Sequence, residues 1–157
     1  MLYNKQEFNN PIIFTGALDE LLQYRFGYLP YRSLELKFEQ HNKTWYQSAA
    51  VVNYPNEEDF TRITEFKYLS DQDIEGRTTI LKEYPLPYQP NSEVGSIPYY
   101  PILNPENLNL FNKYKEEVEL FKTIYPCGRL AEYKYFNMDA AIENALNLAY
   151  KIGERYA

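Results

Sequence analysis

The 157 residues carry a formal net charge of -6 with scattered basic residues, which argues against a nucleic acid as the main partner, because phosphate binding rests on clustered Lys and Arg. This length suffices for one domain with a real core but not for two ordinary enzyme domains, so we expect a single domain over residues 1–157. The sequence lacks the roughly 18-residue apolar run of a membrane span and lacks a secretory signal, so we expect a cytoplasmic protein with no membrane partner.

Alternation of apolar and polar residues predicts strands in the first two-thirds of the chain. A short apolar strand over residues 11–14 precedes a short helix, and the segment YRSLELKFE alternates cleanly, as a half-buried strand does. Three more strand-like segments follow, WYQSAAVVNY, FTRITEFKYL and RTTILKEY, with polar turns between them. Four successive strands joined by short turns predict an antiparallel meander.

Helical spacing dominates the last third of the chain. After a proline-rich loop over residues 85–101, Asn104 and Pro105 form a favourable N-cap and first-turn pair for a helix over about 105–123. A final strand, GRLAEYKYF, leads into a C-terminal helix over about 137–155 whose apolar residues have the helical period. The prediction is an α+β fold, with an antiparallel sheet of about five to six strands and both helices packed on it.

Few residues carry a recognisable catalytic or metal-binding pattern. The six glycines form neither a dinucleotide-binding nor a Walker A motif. The lone histidine, His41, has no His or Cys at metal-ligand spacing, and Cys127 has no histidine nearby in sequence to activate it. We therefore predict no metal site and assign no catalytic side chain.

Two segments are candidates for a ligand site. Arg62 shares the predicted face of its strand with Phe60, Thr64 and Phe66, so it is either a snorkelling arginine or a bidentate clamp for phosphate or carboxylate. Tyr99-Tyr100 lies between two prolines that stiffen an extended backbone. Neighbouring side chains there point to opposite sides, so one ring can pack while the other faces a ligand.

A third segment gathers polar and aromatic groups beside a helix start. One face of the predicted final strand carries four such residues: Arg129, Tyr133, Tyr135 and Asn137. Asn137 is a plausible N-cap, and the free N–H groups of a helix N-terminus attract anions and carbonyl oxygens. The alternative is structural, with Arg129 paired to an acid and the tyrosines packed.

Five segments together resemble the C-terminal part of the UDP-galactopyranose mutase family. They occur in the family's order: IIFTGALDELLQYRFGYLPYRSLELKFE, AAVVNYPNEEDFTRITEFKYLS, KEYPLPYQ, IPYYPI and CGRLAEYKYFNMDAAIENAL. The resemblance implies an isomerase that uses reduced FAD to interconvert UDP-galactopyranose and UDP-galactofuranose, a precursor of surface polysaccharides such as lipopolysaccharide and capsule. The flavin would supply covalent catalysis, and the protein would supply position and charge.

The resemblance also implies roles for particular residues. Those expected to contact the UDP-galactose substrate, mainly its pyrophosphate, are Arg62, Tyr100, Tyr135 and Asn137. Those expected to contact the flavin are Gly128, Arg129, Asn137 and Met138. Two residues depart from the family pattern: Asn137 stands where an aspartate is usual, which removes a charge, and Ala17 replaces the usual proline.

The family's glycine-rich dinucleotide fold and its second pyrophosphate arginine precede the matched region and are absent from this sequence. We therefore expect a C-terminal piece of such an enzyme that binds FAD weakly or not at all by itself and is inactive alone. Two alternatives remain: a non-catalytic nucleotide-sugar binding module, and a half that complements a separately encoded N-terminal part. The terminal helix would then be exposed, so a homo-oligomer is also expected.

Overall fold

The computed structural model describes residues 2–3, 6–7 and 10–156. The chain divides into two compact units, one of Met1–Tyr31 with Pro98–Ala157 and the other of Arg32–Ile97. The strands of the described residues are β1 (Leu2–Tyr3), β2 (Gln6–Glu7), β3 (Ile12–Phe14), β4 (Tyr31–His41), β5 (Val51–Asn53), β6 (Arg62–Glu65), β7 (Thr78–Pro87), β8 (Tyr100–Pro101) and β9 (Ile124–Pro126). The helices are α1 (Leu18–Leu21), α2 (Phe66–Ser70), α3 (Pro105–Glu119) and α4 (Met138–Tyr156). None of these helices has the length and apolar character to cross a membrane.

The predicted α+β class is confirmed, with a five-stranded antiparallel sheet in the order β5-β6-β7-β4-β8. The predicted meander is wrong in one respect, because β4 pairs with β7 and not with the strand that follows it in sequence. The two longest strands pair along almost their whole length, from Arg32 opposite Pro87 to His41 opposite Thr78. The long ladder between β4 and β7 therefore determines where β4 lies in the strand order. Strands β5, β6 and β7 pair in sequence order, as a meander does.

Two predicted strands are shorter than the alternation suggested. The strand predicted from Trp45 contains only Val51–Asn53, because the preceding amides of Tyr46 and Gln47 donate to a side-chain carboxylate and not to a neighbouring strand. The next strand ends at Glu65, where the chain enters helix α2.

In the first unit, α3 begins as predicted. The Asn104 side chain accepts a hydrogen bond from the Asn107 amide at 2.8 Å, and Pro105 occupies the first turn. The helix ends at Glu119, before the predicted residue 123. The last amides there, at Leu120 and Phe121, bond to carbonyls three residues earlier, which tightens the final turn.

The predicted strand GRLAEYKYF is wrong. Residues 128–133 form turns, with Gly128 at φ +95° and Tyr133 at φ +49°, both in the left-handed region that a strand excludes. Tyr133 is buried, its hydroxyl donates to the Pro30 carbonyl at 2.5 Å, and its ring stacks on Phe111. Burial raises the pKa of the Tyr133 hydroxyl to about 12. Tyr133 therefore belongs to the core of the first unit.

The core of the second unit contains a fully buried carboxylate, Glu65. It accepts hydrogen bonds from the amides of Tyr46 and Gln47 at 2.9 and 3.0 Å and from the Thr78 hydroxyl at 2.6 Å. Burial alone would raise the pKa of the Glu65 carboxyl, but these hydrogen bonds and the nearby Lys67 lower it below its usual value. Glu65 thus connects the loop before β5 to the start of β7.

Replacing Glu65 with Gln is expected to lower the free energy of unfolding by roughly 2 kcal/mol, because the amide nitrogen cannot accept these bonds. The folded-state pKa of Glu65 lies below its ordinary value of about 4.5. The stabilisation is therefore complete above that value and is lost as pH falls through the folded-state pKa. Urea unfolding of Glu65→Gln across pH tests both effects, with Glu58→Gln in an exposed turn as control. Equal stability of the two variants would contradict the assignment.

Candidate functional site

The structure distributes the predicted site residues between the two units. Arg62 lies in the second unit, at the start of β6. The others lie in the first unit, namely Tyr100, Gly128, Arg129, Tyr135, Asn137 and Met138. Each group has its own geometry, and we describe the arginine first.

Arg62 occupies the middle position of a cross-strand row. The sheet register sets it opposite Asn53 on one neighbouring strand and opposite Glu83 on the other. Its Nε donates to Asn53 Oδ1 at 3.0 Å, and its Nη1 lies 3.5 Å from Glu83 Oε1. The Arg62 side chain remains 41 % exposed, whereas that of Glu83 is only 13 % exposed. The guanidinium is thus held on two sides, while the side chain stays partly exposed.

The surroundings of Arg62 differ from the predicted strand face. Of its three expected neighbours on that face, only Thr64 belongs to β6, because Phe60 precedes the strand and Phe66 opens helix α2. Asn53 and Glu83 were not identified from the sequence as neighbours of Arg62. Only the pairing of β5, β6 and β7 reveals them, and single-strand alternation does not specify that register.

In the first unit, Arg129 brings together the two predicted substrate tyrosines. Its guanidinium carbon lies 5.1 Å from the ring centroid of Tyr100 and 4.8 Å from that of Tyr135. The two rings are themselves stacked, with centroids 6.1 Å apart and planes 25° apart. The guanidinium is close enough to both rings for cation–π attraction, which orders all three side chains together.

Arg129 does not take the structural role of an acid-paired cation. No carboxylate among the side chains described, residues 10–156, forms a salt bridge with it. Instead its Nη2 donates to the Phe136 carbonyl at 2.7 Å, which ties it to the segment just before α4. The positive charge therefore stays uncompensated by the described part of the chain.

Tyr135 is more open than Tyr100. The Tyr135 side chain is 59 % exposed, while Tyr100 and its neighbour Tyr99 are both half-buried. The sequence led us to expect one packed and one presented ring in the Tyr99-Tyr100 pair, yet their burial is similar. The ring of Tyr100 differs by its contacts with Arg129 and Tyr135.

Asn137 and Met138 form the start of helix α4. The Asn137 carbonyl accepts the Ala141 amide at 2.9 Å, as an N-cap residue does, and Met138 is 86 % exposed. The first amides of this helix carry a partial positive charge that favours anions and carbonyl oxygens. Gly128, at φ +95°, begins the turn that carries Arg129.

Comparison with known proteins gives consistent results. The sequence model of the UDP-galactopyranose mutase family matches residues 2–135. The UDP-galactopyranose mutase of Mycoplasma genitalium is 36% identical over 143 residues, which cover 90% of this chain and 35% of the relative. A dTDP-fucopyranose mutase of Escherichia coli is 32% identical over 139 residues, covering 88% of this chain and 36% of the relative. A probable UDP-galactopyranose mutase of Klebsiella pneumoniae is 37% identical over 140 residues, covering 88% and 35%.

The chain therefore spans about a third of the length of the curated relatives it matches. The matched residues nevertheless cover most of this chain and include Arg62, Tyr100, Arg129 and Tyr135. With its geometry and these matches together, the chain belongs to the UDP-galactopyranose mutase family.

Proposed function

We propose that this chain supplies nucleotide-sugar binding elements of a mutase that interconverts UDP-galactopyranose and UDP-galactofuranose for surface polysaccharide synthesis. The observation that carries the proposal is the family match over residues 2–135. Two relatives bear names that differ in base and sugar, UDP-galactopyranose and dTDP-fucopyranose, but both names contain a nucleoside diphosphate and a pyranose. The diphosphate is common to both names, so we look first for side chains in this chain that can bind a diphosphate.

Arg62 has the chemistry for a diphosphate. An arginine side chain carries a positive charge, and its donors form a planar fork that matches phosphate oxygens. The side chain is partly exposed, so a ligand can approach it. We assign Arg62 to the pyrophosphate of the substrate.

Tyr100 and Tyr135 are proposed to donate their hydroxyls to phosphate oxygens. Stacking on each other and on Arg129 orients both rings. A side chain that is already ordered loses less conformational entropy when it binds a ligand. Asn137 is the fourth proposed substrate contact, at the exposed start of α4.

Reduced FAD is the cofactor we propose, and the donor set of the first unit fits it. The Arg129 guanidinium, which forms no salt bridge with the side chains of residues 10–156, and the amides at the start of α4, at Asn137 and Met138, offer donors and positive charge to the carbonyl oxygens of an isoalloxazine. Gly128 allows the turn that positions Arg129. When bound, the flavin would supply the nucleophile of the reaction. The residues of this chain would hold its ring edge, and no catalytic side chain is assigned.

Binding of UDP is the direct test of the substrate proposal. Calorimetry with the full chain is expected to show saturable binding that weakens about 10-fold or more in Arg62→Gln, because a charge-assisted phosphate contact contributes about 1.5–3 kcal/mol. Arg77→Gln, at an exposed arginine of the same unit, is the matched control and should bind as the unmodified chain does. Absence of heat, or equal loss in both variants, would refute the proposal.

A second proposal concerns a protein partner. On α4, large apolar side chains four residues apart are strongly exposed: Met138 at 86%, Ile142 at 61%, Leu146 at 54% and Tyr150 at 73%. An exposed apolar stripe of this kind marks an interaction surface. The relatives carry about twice as much additional chain as they share with this one. We propose that this stripe is covered by a separately supplied N-terminal part of the family enzyme, and that stable FAD binding and mutase activity require this part.

Co-expression of the full chain with the N-terminal two-thirds of a relative tests this proposal. We expect a complex that copurifies with flavin absorbance, whereas the chain alone is colourless. Ile142→Asp should abolish the complex, while Ile74→Asp, at an exposed isoleucine of the second unit, should leave it intact. Flavin bound stoichiometrically to the chain alone, or a homodimer that Ile142→Asp disrupts in place of the complex, would overturn it.

A further inference from the structure

In the row Asn53–Arg62–Glu83, the two neighbours contact only some of the hydrogen-bond donors of Arg62. A guanidinium has five N–H groups in a fixed plane. Asn53 Oδ1 accepts from Nε at 3.0 Å, and Glu83 Oε1 lies 3.5 Å from Nη1. Among the side chains of residues 10–156, no partner occupies Nη2 of Arg62. Two neighbours therefore fix the plane of the guanidinium and leave one nitrogen for a ligand.

This arrangement has little value as a stabilising ion pair. The Arg62 side chain is 41 % exposed, and exposed pairs contribute little to folding because solvent screens them. The hydrogen bond that Arg62 Nε donates to Asn53 Oδ1 is also exposed, and its acceptor carries no negative charge. The row instead orients the Arg62 guanidinium. A freely rotating arginine side chain would lose about 2 kcal/mol of rotamer entropy when a ligand fixes it, and a side chain that is already held loses less.

We propose that Asn53 and Glu83 are positioning residues that hold the Arg62 guanidinium with its Nη2 edge toward a phosphate of a nucleoside diphosphate. This inference rests on the proposed diphosphate role of Arg62. It adds that the neighbouring strands β5 and β7 prepare the arginine before the ligand arrives. The two residues have distinct parts: Asn53 fixes Nε without adding charge, and Glu83 fixes the Nη1 side from a mostly buried position.

The orientation can be measured without a ligand. The ¹⁵N–¹H resonance of Arg62 Nε reports whether this proton is hydrogen-bonded and protected from exchange with water. In the full chain we expect a protected Nε signal for Arg62, in contrast to the exposed Arg77. Asn53→Ala should remove this protection, whereas Asn53→Asp, which keeps an acceptor oxygen, should retain it. Glu83→Gln, which also keeps an acceptor, should leave the Nε signal intact, and Glu83→Ala should broaden it.

Affinity for UDP supplies the second readout. Asn53→Ala is expected to weaken UDP binding roughly 3- to 10-fold, the equivalent of one hydrogen bond, while the exposed loop change Asn42→Ala has no effect. An unchanged Nε signal in Asn53→Ala would overturn the positioning role. If no variant binds UDP but the Nε signal responds as expected, the positioning of Arg62 stands and the diphosphate role fails. The two proposals are thus tested separately.

Discussion

Strand register is the constraint on which the position of Arg62 in the second unit depends. A slip of β6 by one residue would turn all its side chains to the opposite face of the sheet. The buried Glu65 carboxylate opposes this slip, because its partners Thr78, Tyr46 and Gln47 are available to it only in the observed register. Arg62 lies three residues earlier on the opposite face, so the same register places it in its row. The hydrogen bonds of the buried Glu65 thereby help to set the position of the partly exposed Arg62.

A turn has the corresponding role in the first unit. The left-handed conformation and burial of Tyr133 fix the segment between Gly128 and helix α4. Within that segment Arg129 reaches the Phe136 carbonyl and the ring of Tyr135. In both units, a buried and hydrogen-bonded side chain determines where a less buried arginine lies. Such an arginine can attract a negatively charged group.

The sequence predicted the helices and strands whose formation depends mainly on residues close together in the chain. The strand predicted from YRSLELKFE forms as β4, although its Leu36 and Phe38 are exposed, and α3 begins at Asn104-Pro105 as expected. The strand order was not predictable, because the pairing of β4 with β7 is set by long-range hydrogen bonding. The alternation in GRLAEYKYF predicted a strand where Tyr133 turns inward, since polarity patterns do not report a left-handed backbone. Arg62 was identified from its strand, but its neighbours across the sheet were not.

The central claim is that Arg62 binds the diphosphate of a nucleoside diphosphate. Its most direct test is a titration of the ¹⁵N-labelled full chain with UDP, followed in the backbone and arginine side-chain resonances. The account predicts saturable shifts concentrated on β6 around Arg62. Saturable shifts confined to other parts of the chain, or no shifts at all, would contradict it.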